Sequence, residues 1–313
     1  MNSSNGAILL DVTIRDGGYV NKHSWTTAQA IQIVSACATA RIPFVEVGYL
    51  RPHRHGTDGT TAPSASCPPE YLARAEEAAQ GTRPVVMAHA KDTTPEQLAG
   101  VAKYGVALVR MPTRPQDVAL LEPYVEAAHA AGMAFAVNLI RVSELDDDSI
   151  LRAVADADRL AVDIFYLADS NGSLFPEDVA RLGARVRAAT DLTLGFHLHD
   201  GISMGFSNAL AAMREGFQYI DASLAGMGKG GGNLSLELIT AYLRSREHYD
   251  FAVTPLVETA AELLTPWRGN QIIAKCESIA SGILDLNLEA LEVLRADDSR
   301  QIFSILDGSS SVL

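Results

Sequence analysis

The stretch that decides the fold is "TLGFHLHDG" (193–201), followed by "NALAAMREG" (208–216) and then "YIDASLAGMG" (219–228). A short apolar run with β-branched and aromatic residues gives way to a run at helical spacing that closes on Gly, and a second short apolar run follows. That is one strand–helix–strand unit. The same alternation recurs upstream, with "AILLDVTIRDG" (7–17), "FVEVGYL" (44–50), "RPVVMAHA" (83–90), "VALVRMPT" (106–113), "AFAVNLIRV" (134–142) and "AVDIFYLADS" (161–170) as further strand candidates. Between them lie helical patterns such as "TTAQAIQIVSACATA" (26–40), "TPEQLAGVAKYG" (94–105), "RPQDVALLEPYVEAAHAAG" (114–132), "DDDSILRAVADADRL" (146–160) and "FPEDVARLGARVRAAT" (175–190). Several open on Thr, Asp or Pro, as helix starts prefer.

Eight such units within residues 1–246 predict a (β/α)8 TIM barrel. A doubly wound open sheet is the rival, but it would carry a phosphate-binding fingerprint after its first strand, and "TIRDGGYVN" (13–21) is not GxGxxG. Residues 247–313 break the alternation. "LVETAAELL" (256–264) and "ILDLNLEALEVL" (283–294) carry apolar stripes at helical spacing, which predicts a helical C-terminal extension packed on the barrel or on a second subunit. The connection "RPHRHGTDGTTAPSASCPPE" (51–70) is long and rich in Gly, Pro, Ser and Thr, so it reads as a lid over the barrel mouth or as a variable surface loop.

The charge balance narrows the partners. With 38 acidic against 25 basic residues and a net charge of −13, neither a nucleic-acid backbone nor an anionic membrane surface is expected as a partner. Cys37, Cys67 and Cys276 are far apart and form no CxxC pair, and the N-terminal "MNSSNGAILLDV" has neither a basic nor a long apolar region. A cytoplasmic protein is expected.

The chemistry collects at strand ends. His197 and His199 alternate along a strand and so project to the same side, toward the barrel mouth, as half of a metal site. In "TIRDGG" (13–18), Arg15 and Asp16 stand where the first strand gives way to a Gly-Gly turn, and closure of the barrel sets that strand beside the last two. Asp16 with His197 and His199 offers one carboxylate and two imidazoles, a set for Mn²⁺ or Mg²⁺, with Zn²⁺ and Fe²⁺ as other occupants. Arg15 could stabilise an enolate or bind a carboxylate bidentately. In "GMGKGGGN" (226–233), Gly230 and Gly231 expose backbone amides to an anion, while Asn233 is either the cap of the next helix or a further metal ligand. Glu46, His89, Arg110, Asn138, Asp169 and Ser170 also lie near strand ends, and Glu46, Arg110, Asn138 and Ser170 are taken as substrate-binding candidates.

Taken together, "TIRDGG", "HLHD" (197–200) and "GMGKGGGN", in that order, resemble the DRE-TIM metallolyases, also called the HMGL-like family. The resemblance implies a divalent metal on Asp16, His197 and His199, with Asn233 joining or nearby, and C–C bond chemistry beside a carbonyl through an enolate stabilised by Arg15. The family's aldolases carry a His general base shortly after the RD motif, whereas here Gly18, Tyr19 and Val20 follow, so Tyr19 or His23 is the expected substitute. The glycine loop lacks the lyase's cysteine, and the C-terminal region is shorter than that of the synthases. The segment at 278–308 is similar to the aldolases' C-terminal helical region without its tyrosine. The resemblance therefore implies a metal-dependent aldolase acting on a 4-hydroxy-2-oxo acid, releasing pyruvate or a related 2-oxo acid and an aldehyde. It also implies a homo-oligomer, with an aldehyde-processing enzyme as a partner. The alternatives are an acyl-CoA-dependent Claisen condensation of the isopropylmalate or citramalate synthase kind, with Lys229 at the acyl donor, and a thioester lyase like hydroxymethylglutaryl-CoA lyase. A barrel that has lost catalysis and serves as a scaffold is the non-enzymatic alternative.

Overall fold

A computed structural model describes residues 6–51, 63–267, 281 and 284–297. Eight parallel strands, β1 (Ile8–Asp11), β2 (Phe44–Leu50), β3 (Arg83–Ala88), β4 (Leu108–Thr113), β5 (Ala134–Leu139), β6 (Ile164–Asp169), β7 (Thr193–Leu198) and β8 (Tyr219–Ala222), pair in chain order. The barrel closes through β1–β8 pairing, with Leu10 opposite Asp221. Each strand lies inside one of the eight runs read from the sequence.

The helices on the outside are α1 (Thr27–Ala40), α2 (Pro69–Ala79), α3 (Pro95–Ala99), α4 (Glu122–Ala130), α5 (Asp147–Arg159), α6 (Pro176–Ala189), α7 (Gly205–Arg214), α8 (Leu236–Arg246) and α9 (Thr254–Leu264). Local chemistry sets their starts. Thr26 and Gln29 form a reciprocal capping box at α1, and the Asp146 carboxylate accepts from Ser149 N at α5. The helix expected over 114–132 divides into a 3₁₀ segment, Pro115–Leu121, and α4. Pro123, near the start of α4, has no N–H to carry an α-helical ladder back into the preceding turn. The pattern at 94–105 likewise divides, with α3 ending at Gly100 before a 3₁₀ turn at Ala102–Tyr104.

The extension packs on the barrel where it is described. Leu256, Leu263 and Leu264 of α9 are buried, Gln32 on α1 donates to Glu262 at 2.8 Å, and Trp267 meets Trp25 edge-on at 5.0 Å. A helix at Leu288–Asp297 is tied to the mouth by Glu289, whose carboxylate takes both 2.6 Å bonds from Arg141 Nη2. Asp285 Oδ1 accepts from Ser143, Asn171 and Ser173, in the loops after β5 and β6. Cys37 and Cys67 are buried free thiols, while Cys276, most of the expected lid (52–62) and the remainder of the extension lie outside the described residues. Among the described residues, no helix is long and apolar enough to cross a membrane.

Two apolar layers surround the strands. The larger fills the space between barrel and helices; the smaller, with Leu10, Val12, Phe44, Val85, Leu108, Ala136, Ile164 and Tyr166, fills the interior. Inward-facing position 195 on β7 is glycine for a steric reason: a Cβ there would lie 2.5 Å from the Tyr166 ring. Gly195→Ala is therefore expected to overpack the interior and lower stability by about 1–3 kcal/mol. Urea unfolding should show a lower midpoint at unchanged slope.

Candidate active site

The mouth end of the interior is ionised rather than apolar. From β4, Arg110 reaches into the barrel with no exposed surface, its Nη2 2.5 Å from Asp221 Oδ2, its Nη1 3.3 Å from Glu46 Oε1 and its Nε 3.3 Å from Asn138 Oδ1. The guanidinium lies over the Tyr166 ring, 4.2 Å from its centroid. Asp221 also meets His197 Nδ1 at 2.8 Å, and Glu46 Oε2 accepts from Arg15 Nε at 2.6 Å. Arg15 Nη1 then donates to Asp16 Oδ1 at 2.7 Å. His197 Nε2 lies 3.9 Å from the same oxygen, so the chain of contacts closes on itself.

This arrangement relocates three residues that the sequence placed against substrate. Glu46, Arg110 and Asn138 lie below the mouth, almost fully buried and bonded to one another or to Arg15, where they support the site rather than face a ligand. Ser170 is engaged as well, its hydroxyl accepting from Arg141 N at 3.0 Å. Asp169 accepts from the amides of Gly172, Ser173 and Leu174 and so ties down the loop that follows β6.

Asp16, His197 and His199 come together. All three are buried, and one potential ligand atom from each lies within 4.8 Å of the others. Burial alone would raise the Asp16 carboxyl, but Arg15, His199 and His197 hold it well below the usual carboxylate range. Burial lowers His199 to about 4, with Asp16 opposing, so its imidazole is neutral at pH 7. Burial would likewise raise Asp221, yet Arg110 and the His197 hydrogen bond keep it below its ordinary value. An ionised Asp221 accepting from Nδ1–H leaves His197 Nε2 as the lone pair facing Asp16.

The donor set fits a divalent cation on two observations. His199 Nδ1 and Asn233 Oδ1 are buried polar atoms without a hydrogen-bond partner, and an ionised carboxylate stands beside two imidazoles. Asn233 faces His199 across an isolated antiparallel bridge, and its Nδ2 donates to Asp16 Oδ2 at 2.9 Å. The helix-cap alternative for Asn233 falls away, because Ser235 caps α8 by accepting from Leu238 N. In the glycine loop, Lys229 N donates to Asp16 Oδ2 at 3.2 Å. Gly231 packs so close to Gly201 that a Cβ would fall 2.6 Å from its Cα.

Around Arg15 stands an aromatic rim that the sequence showed only in part. Tyr19 and His23 meet edge-on at 5.1 Å, and the Tyr19 hydroxyl bonds that of Tyr49 at 2.8 Å. Tyr49 was not singled out from the sequence, since it lies in an apolar strand. Its place follows from a bulge between Glu46 and Gly48, where Gly48 adopts φ +150° and a Cβ would strike the Ser64 carbonyl at 2.2 Å. His89 stacks on Tyr49 at 5.7 Å. Burial and then the Arg51 charge lower both His23 and His89 to about 4.

The sequence model of the HMGL-like family matches residues 7–264. Similar proteins include an oxaloacetate decarboxylase of Mycobacterium tuberculosis, 32% identical over 248 residues (77% of this chain, 71% of the relative). A 4-hydroxy-2-oxovalerate aldolase of Thermomicrobium roseum is 27% identical over 276 residues (87% and 76%). Among solved structures, the N-terminal domain of a proposed aldolase from Bacteroides vulgatus superposes with a TM-score of 0.78 at 23% identity, covering 96% of each chain. The carboxyl transferase domain of Rhizobium etli pyruvate carboxylase, with pyruvate and biocytin, gives 0.69 at 19% identity, over 82% of this chain and 46% of that one. At these identities the structural likenesses concern the fold.

Asp221→Asn should weaken divalent metal binding by about 10–100-fold, the usual effect of removing a group that orients a ligand histidine. Mn²⁺ titration of wild type and variant measures this directly.

Proposed function

The chain belongs to the HMGL-like family and is a carbon–carbon lyase, and we propose that it is a divalent-metal-dependent aldolase acting on a 4-hydroxy-2-oxo acid. The observation that carries the reading is Arg15. It is held on two edges by Glu46 and Asp16, while its remaining terminal nitrogen, Nη2, is buried at the cluster with no partner of its own. A buried guanidinium donor of this kind is complementary to an anion that is not part of the protein.

Asp16, His197 and His199, with Asn233 beside them, would hold a divalent cation, which would supply Lewis-acid polarisation of a 2-oxo acid's carbonyl. Arg15 Nη2 donates to the negative charge that develops as the C3–C4 bond breaks and its electrons move toward the C2 oxygen. His23 accepts the proton of the C4 hydroxyl. Burial and then the Arg51 charge lower its pKa to about 4, which keeps the ring unprotonated and able to accept at neutral pH. Burial pushes the Tyr49 phenol up, so it stays protonated and serves as a donor, linked through its hydroxyl to the half-exposed Tyr19. The two relatives' names support the same chemistry, because decarboxylating oxaloacetate and cleaving a 4-hydroxy-2-oxo acid both break a bond one carbon removed from a keto group and leave a pyruvate enolate.

A screen for pyruvate release from 4-hydroxy-2-oxo acids in the presence of Mn²⁺ tests the reading; acetyl-CoA-dependent thiol release without pyruvate formation would overturn it. Arg15→Lys should retain the metal, since a guanidinium has no lone pair to give a cation, yet lose about 10²–10³ in kcat, because a lysine cannot reproduce the fork that spans Glu46, Asp16 and the reacting oxygen. Metal content and turnover of one preparation check both halves.

A further inference from the structure

Arg15 is not the only anchored guanidinium at the mouth. Arg51, directly after β2, has its Cζ 4.0 Å from the centroid of the Tyr49 ring, against 6.0 Å for Arg15. Asp92 Oδ2 stands 3.4 Å from Arg51 Nε, an ion-pair contact without the hydrogen bond that Glu46 accepts from Arg15 Nε. The terminal nitrogens of Arg51 make no hydrogen bond among the described residues, and the side chain is 17% exposed. Its carrier is rigid: Tyr49 is 3% exposed and held by the Tyr19 hydroxyl, and Thr93 fastens the turn that bears Asp92 by donating to Leu50 O at 2.6 Å.

From this pairing we infer that Arg51 binds a second anionic group of the substrate, so that the preferred 2-oxo acid is a dianion with a carboxylate beyond the scissile bond. The inference rests on the 2-oxo acid reading and narrows its substrate class. Two guanidiniums, each with a carboxylate beside its Nε, stand within 4.0 and 6.0 Å of one tyrosine ring, an arrangement a four- or five-carbon dicarboxylate can bridge. The surroundings favour this sign of charge locally in a protein of net charge −13. Besides burial, the charges that depress His89 are led by Arg51 and Lys91, with Asp92 opposing, and those that depress His23 are led by Arg51 and Arg15. Tyr49 and His89 supply the apolar wall between the two anionic ends, stacked 24° from parallel.

The test is calorimetric binding of two unreactive probes, 2-oxoglutarate and 2-oxopentanoate, to the Mn²⁺-loaded protein. These differ in a terminal carboxylate against a methyl group. Wild type should bind 2-oxoglutarate at least about tenfold more tightly. Arg51→Met, which keeps the stem over Tyr49, should reduce the preference to within about twofold while leaving 2-oxopentanoate unchanged; Arg51→Lys should fall between. Equal binding of both probes to wild type, or an equal loss of both in Arg51→Met, overturns the inference and leaves the 2-oxo acid reading standing. If neither probe binds wild type, the 2-oxo acid reading itself fails and the inference with it.

Discussion

The Asp221 carboxylate, shared between Arg110 Nη2 and His197 Nδ1, is the contact on which the rest of the site depends. It joins a cation sealed in the barrel to an imidazole at the mouth. Arginine cannot escape burial by losing its proton, so Arg110 requires anionic partners at close range. Asp221 and Glu46 are those partners, and each passes the constraint outward, one to His197 and the other to Arg15. His197 of the candidate metal cluster and Arg15 are thus both oriented, through Asp221 and Glu46, by one buried charge.

Removing any member would leave the others buried and unbalanced, which typically costs about 3–5 kcal/mol for such pairs. That explains why the layer beneath is so strict. Tyr166 provides the ring on which Arg110 lies, and Gly195 provides the space for that ring. Below it, Leu10, Phe44, Val85, Leu108 and Ile164 form a dry floor. In this low-dielectric setting each contact of the ring is stronger than it would be near water, and each unpaired atom stands out. Arg15 Nη2, His199 Nδ1 and Asn233 Oδ1 are among the buried atoms left without a hydrogen-bond partner, and they belong to the Asp16–His197–His199 cluster or border it.

The rim works by different physics. Tyr19, Tyr49, His23 and His89 pack edge to face or stacked, and burial with nearby guanidiniums keeps both imidazoles neutral. Nothing there needs full charge compensation, because the rim is only partly enclosed. Neutral imidazoles can therefore sit at the edge while the ion ring below stays fixed. The C-terminal helix reaches the same edge through Glu289 and Arg141, so the extension contributes to the mouth as well as to α1.

Much of this was legible in the chain. Hydrophobic periodicity marked all eight strands, because a strand buried on both faces must be a short apolar run whatever its neighbours are. Alternation put His197 and His199 on one side, and "TIRDGG" announced a charged pair at a strand end. Depth was not legible. Period-two alternation tells inward from outward but not how far below the mouth a residue lies, so Arg110, Glu46 and Asn138 read as ligand contacts although they form the buried support. Tyr49 was hidden by a bulge whose reason, the close approach of Ser64 to Gly48, lies sixteen residues away in the chain. The sequence by itself determined the barrel, its strand ends and the three motifs, since these follow from local patterns of polarity and turn chemistry. Only the tertiary structure decided which charges face each other, because pairing Asp221 with both Arg110 and His197 requires β4, β7 and β8 to be curved into one closed wall, and no local pattern encodes a distance across it.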